Sequence, residues 1–125
     1  MKNKSKYFSP REFELCDPPC TIDDIHPKLL ALLDRIRDMA GILMVMNCVY
    51  RSVEYDLAKG RSGESEHCEQ PAMGVDIRCN TSVNRFKILK AAIICGVRRI
   101  GIGKTFIHIG IDESHPQNVI WHYYE

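Results

Sequence analysis

Residues 27–40, PKLLALLDRIRDMA, place Leu29, Leu32, Leu33, Ile36 and Ala40 at the spacing of one helical face. Pro27 suits the first turn of that helix, and Gly41 stops it. Nine almost unbroken apolar residues follow at once, ILMVMNCVY from Ile42 to Tyr50. That run is too short for a core helix after such a stop, so the pattern predicts a buried strand.

The remaining chain repeats the alternation. YFSPREFELC opens with Ser9 as a helix cap, Pro10 at the first helical position and Phe13 pointing inward. DPPCTIDDIHP reads as a turn-rich connector. Residues 51–71 are polar and contain Gly60 and Gly63, which predicts a long loop with one helical turn around Val53 to Lys59. AMGVDIRC reads as a second strand. Asn80 or Thr81 then caps a helix with an expected inner face of Val83, Phe86, Leu89, Ala92 and Ile93, closed by Gly96. VRRIGIG and TFIHIGID alternate around Gly103 and Lys104 as a hairpin, and VIWHYY gives a last strand or edge segment. The order predicts an α+β domain with a small, mostly antiparallel sheet and helices packed on one face.

At 125 residues, with 45% hydrophobic and 26% charged side chains, one domain spanning residues 1–125 is expected. A net charge of +1 gives no field that would draw nucleic acid or anionic lipid, and neither partner is expected. No apolar run approaches the ~20 residues of a membrane span, and MKNKSKYF lacks the apolar core of an export signal. The expected state is a cytoplasmic monomer, unless lysis or another machine releases it. Six cysteines would suit three disulfides in a secreted chain, a context that no export signal supports. Cys48 and Cys95 sit in apolar runs and read as small buried hydrophobes. CDPPC is not a C-x-x-C redox motif, and a thiolate site from Cys16, Cys20, Cys68 and Cys79 lacks paired C-x-x-C knuckles.

SEHCEQPAMGVDIRC, residues 65–79, delivers His67 from a loop and Asp76 from a strand. In FIHIG, strand alternation puts Phe106, His108 and Gly110 on one face and Ile107, Ile109 and Ile111 on the other. The isoleucines should meet the core, which turns His108 toward the opposite side. Two imidazoles, a carboxylate and an open position make a catalytic-type zinc arrangement, in which bound water is acidified to a pKa of ~7. On pattern alone, a half-buried strand histidine is the better account of His108, because three scattered ligands are weak evidence.

Taken in order, YFSPREFELC, the helix HPKLLALLDRIRDMAG, YRS at 50–52, SEHCEQPAMGVDI, GIGKTFIHIG and Trp121 resemble the zinc D-Ala-D-Ala carboxypeptidase family. Its relatives include phage L-alanyl-D-glutamate endopeptidases and the hedgehog fold, and this chain resembles the small phage-type members. The resemblance implies Zn2+ held by His67, Asp76 and His108, and a peptidoglycan stem peptide as substrate. It also implies that Arg51 holds a substrate carboxylate or carbonyl, a task for a planar, permanently charged fork. Ser65 would hydrogen-bond substrate or cap the turn.

Three features depart from the family pattern. Eight residues, CEQPAMGV, separate His67 from Asp76 where six are usual, so Gln70 and Pro71 read as an insertion. Thr105 and Phe106 stand where many members carry the catalytic acid or histidine, and neither can take a proton. Gly110 replaces the aspartate of an H-x-D continuation. Asp112 and His122 are therefore the candidate bases, with Glu113 and His115 behind them. Two functions remain open, a zinc peptidase cutting peptidoglycan stem peptides and a zinc-containing wall-binding module on the same scaffold. A cysteine nucleophile at Cys68, beside His67, is a third reading.

Overall fold

The computed structural model describes residues 3–123, so Tyr124, the last residue of the expected VIWHYY segment, lies outside the described residues. Four α-helices, α1 (Pro10–Glu14), α2 (Pro27–Ala40), α3 (Val53–Ala58) and α4 (Ser82–Ile94), accompany five strands. The strands are β1 (Met46–Cys48), β2 (Gly74–Arg78), β3 (Arg99–Ile102), β4 (Phe106–Gly110) and β5 (Val119–His122). Short 3-10 turns occupy Ile22–Asp24 and Glu66–Cys68. No helix among the described residues is long and apolar enough to cross a membrane.

The helix ends follow local chemistry. Glu12 accepts a hydrogen bond from the Ser9 amide at 2.7 Å, and the Thr81 hydroxyl accepts one from the Asn84 amide at 3.1 Å. Gly41 ends α2 at a φ of +67°, a left-handed conformation that glycine adopts without steric cost.

One five-stranded sheet runs in the order β1-β2-β4-β3-β5. Every pairing is antiparallel except β3 with β5. The core lies against one face, where Ile77, Ile107 and Ile109 meet Leu29, Leu33 and Ile36 of α2, all fully buried. Ile107→Ala should cost about 2–5 kcal/mol, because close packing cannot refill the space. Urea unfolding checks this, and a loss below 1 kcal/mol would place Ile107 outside the core.

Register organises the opposite face. Cys48 lies across from Asp76, Asp76 from His108, His108 from Gly101, and Gly101 from Trp121. One row therefore crosses all five strands. A neighbouring row runs Gly74, Gly110, Arg99, Val119.

Two expectations need correction. The strand expected over 42–50 pairs only across Met46–Cys48, with a register irregularity inside it. The β2 chain leaves for α4 after Arg78, so the earlier apolar residues have no ladder partner beyond the Arg78 amide on the Val45 carbonyl. The inner face of α4 is Ile88, Ala91 and Ala92 with Leu89 partly covered, whereas Val83, Phe86 and Ile93 are 64%, 67% and 57% exposed. This helix is apolar on several sides, so spacing alone did not select the stripe that packs beside α2.

Candidate metal centre

Ser65 begins the site. Its hydroxyl accepts the His67 amide at 3.1 Å, winding the 3-10 turn that aims His67 inward. His67 is 2% exposed, and its Nδ1 lies 2.6 Å from the Val49 carbonyl, which can only accept. Nδ1 therefore carries the proton, and Nε2 faces Asp76 Oδ1 at 3.2 Å. His108, 3% exposed, reaches the same oxygen with Nδ1 at 2.9 Å, while its Nε2 lies 2.8 Å from Glu66 Oε1. Two imidazoles from separate stretches of chain thus converge on one carboxylate oxygen. Their rings meet edge to face, 4.9 Å between centroids.

Cys48, His67 and Asp76 form the group that could hold a metal ion: their donor atoms lie within 4.8 Å of one another. His108 is not in that group, although its Nδ1 lies 2.9 Å from Asp76 Oδ1. Ligands 2.0–2.1 Å from a tetrahedral ion lie about 3.3 Å apart, close to the separation of Asp76 Oδ1 from each ring nitrogen. The Cys48 thiol faces His67 Nδ1 at 3.7 Å, on the ring edge that Val49 already occupies. The sequence pattern treated Cys48 as a buried hydrophobe. Its register opposite Asp76 gives it polar company instead.

Charge in the metal-free site is strongly coupled. Burial alone would lower the His67 pKa, but the Asp76 charge and hydrogen bond outweigh it and raise the pKa to about 9. His108 moves the same way, with burial opposed by hydrogen bonds to Asp76 and Glu66. Burial would raise the Asp76 pKa, yet the two imidazoles hold it well below the usual carboxylate range.

A cleft of about 460 Å³ opens beside these groups, lined by Arg51, Arg61, Ser65, His67, Asp76, Phe106 and Tyr123. Arg51 Nε pairs with the buried Asp56 at 2.8 Å, and its Nη2 donates to Ser65 Oγ at 3.2 Å. The predicted arginine and serine therefore reach the cleft together. Arg61, Tyr123 and Asp56 escaped the sequence reading, because no local spacing ties them to His67 or Asp76.

The candidate bases do not join them. Asp112 turns its carboxylate to Ser114 and His115, and His122 is exposed on β5; neither lines the cleft. Cys68 donates to Asp56 at 3.1 Å rather than facing His67. Burial and that carboxylate push its thiol up to about 11, away from nucleophilic chemistry. Cys16, Cys20 and Cys79 are free and buried, and no four-cysteine metal group occurs among the described residues.

Gln70 and Pro71, which the resemblance reads as an insertion, are tied to the connector before α2. Gln70 donates to Asp24 at 3.0 Å, and the adjoining Ala72 amide bonds the Asp24 carbonyl. Asp76 keeps its place opposite His108. Glu66, also unanticipated, lies beneath the site at 3% exposure. No family model, curated protein or solved structure matches this chain.

Proposed function

We propose that this protein is a zinc-dependent peptidase acting on peptidoglycan stem peptides, with His67, Asp76 and His108 as metal ligands. The observation that carries the metal assignment is the approach of His67 Nε2 and His108 Nδ1 to one oxygen of Asp76 while their outer nitrogens face hydrogen-bond acceptors. The substrate class rests on the resemblance set out from the sequence, and the hedgehog-like fold belongs to the same proposal. Between the two third donors, His108 is favoured over Cys48, because Cys48 faces the His67 nitrogen that already bonds Val49.

Bound zinc supplies a Lewis acid that polarises a carbonyl and lowers the pKa of a coordinated water to about 7. The chain does the rest. Asp56 and Ser65 orient the Arg51 guanidinium, whose remaining N–H groups can hold a substrate carboxylate or carbonyl. Ser65 spends its lone pairs on Arg51 and the His67 amide, leaving its hydroxyl proton to donate. Phe106 and Tyr123, 5.1 Å apart between centroids, wall the cleft. Burial raises the Tyr123 pKa, so its phenol stays protonated as a donor for an oxygen that gains charge.

A second reading is a zinc-containing binding module without turnover. It is favoured by the cleft lining, in which Asp76 is the only carboxylate among the described residues. A proposed ligand cannot also serve as the general base.

Metal analysis paired with a muropeptide digest separates the readings. About one zinc per chain with chelator-sensitive cleavage supports the peptidase; zinc with binding but no cleavage supports the module; cleavage that survives chelation defeats the zinc mechanism. Arg51→Lys should weaken muropeptide binding about tenfold or more, because lysine keeps the charge and loses the fork. Titration by calorimetry checks this, and unchanged affinity removes Arg51 from the substrate site.

A further inference from the structure

Glu66 is a buried carboxylate held by three partners. Oε1 lies 2.8 Å from His108 Nε2, and Oε2 accepts Arg99 Nε at 2.9 Å and the Asp112 amide at 3.0 Å. Arg99 is itself 7% exposed, and its guanidinium lies 5.0 Å from the Trp121 ring centroid. The carboxylate stays ionised: burial would raise its pKa, but the His108 and Arg99 bonds pull it down to about 2.

Two glycines make the space. A Cβ at position 110 would fall 2.1 Å from Glu66 Oε1 and 2.4 Å from its carboxyl carbon. A Cβ at position 74 would fall 2.7 Å from the His108 ring and 2.9 Å from Glu66 Cβ. Neither glycine has the positive φ that would call for glycine on backbone grounds. Both are adjacent in the register row that ends at Arg99, so the vacancy is a continuous trough under Glu66.

We propose that Glu66 is the positioning residue of the metal centre, accepting the hydrogen bond from His108 Nε2–H so that Nδ1 points at Asp76, with Gly74 and Gly110 as the vacancy it requires. The inference rests on His108 being a ligand. A histidine that bonds a carboxylate through its outer nitrogen is held in one tautomer and one ring orientation, and losing such a partner typically costs 10–100-fold in metal affinity. The missing aspartate after His108 is explained as well. Position 110 is glycine because the carboxylate of Glu66 fills the space a side chain there would need.

Three variants test this against the parent protein, read by Co2+ and Zn2+ competition with a chelator, the visible spectrum of the Co2+ form, and nitrogen NMR of the His108 ring. Glu66→Gln keeps shape and an acceptor but not the charge; Glu66→Ala removes the partner; Gly110→Ala leaves Glu66 in the chain but crowds it off His108. Expected are affinity losses of about 10–100-fold with an altered Co2+ spectrum for Glu66→Gln and Gly110→Ala, and a larger loss for Glu66→Ala. Glu66→Ala strands the Arg99 charge and can unfold the chain, in which case the other two decide. Metal affinity and spectrum unchanged in both Glu66→Gln and Gly110→Ala overturn the inference while leaving the zinc reading intact. If the parent protein binds neither metal, the zinc reading falls first, and the NMR decides. An Nε2-bound proton at His108 that is lost in Gly110→Ala supports the role of Glu66, and one unaffected there and in Glu66→Gln overturns it.

Discussion

Zinc added to the metal-free protein is expected to raise its thermal midpoint by roughly 10–20 °C, and the Asp76→Ala variant by none. A ligand that binds only the folded state stabilises it by about 4 kcal/mol at a thousand times its dissociation constant. For a domain of this size each kcal/mol shifts the midpoint by roughly 3–5 °C. Asp76 is the decisive position because both imidazoles face its Oδ1, at 3.2 and 2.9 Å. Without that carboxylate one of the three proposed ligands is gone, and the two buried rings are left with no anion between them. His122→Ala is the control: His122 lies exposed on β5, outside the cleft lining, so its variant should keep the full gain. Scanning calorimetry with and without zinc reads both results. A parent protein indifferent to zinc, or an Asp76→Ala protein that gains as much, would end the three-ligand proposal.

The pH dependence should be steep without metal and flat with it. In the metal-free protein His67 titrates near 9 rather than at its ordinary 6.5, so the folded state holds its proton more tightly than the unfolded chain does. The stabilisation is fully present below about pH 6.5 and is lost as pH rises through about 9. A gap of about 2.5 units amounts to roughly 3 kcal/mol. The depressed pKa of Asp76 works in the other sense, at the acid end, where protonating the carboxylate breaks the same contacts. Metal must displace the imidazole protons, so its affinity should rise about tenfold per pH unit for each proton released, up to about pH 9. Between pH 6.5 and 9, then, metal-free protein loses stability while metal-loaded protein holds level, because its rings are deprotonated as they are in the unfolded chain. Urea unfolding across that window, with chelator or with zinc, checks the divergence. Parallel slopes would mean that zinc and these protons do not compete for the same ring nitrogens.

Much of the element plan was legible because its signals are local. Pro27 and Gly41 bracket α2 as their backbone preferences require, and the isoleucines of FIHIG alternate into the core while His108 faces away. The stripe on α4 was not legible. Val83, Phe86 and Ile93 share a helical spacing, but Ile88 and Ala91 are the residues that meet the core. A helix apolar on several sides offers several stripes, and only the neighbour decides among them. The extent of β1 failed for a related reason: an apolar run marks burial, while a strand ends where its partner's hydrogen bonds end.

Within the candidate site, His67, Asp76, His108, Arg51 and Ser65 were named through the family resemblance, where residue type and order alone favoured ordinary roles for His108 and Arg51. What surrounds them could not be named. Glu66 looks like one more charged residue in a polar loop, and nothing near it in sequence announces Arg99 or Gly110. Sequence by itself determined the helices, the alternation of β4 and the identity of the chemical groups, since these follow from torsion preferences and side-chain period. Only the tertiary structure decided which groups meet, because a sheet register joins Cys48, Asp76 and His108 across separations in the chain that no local rule spans.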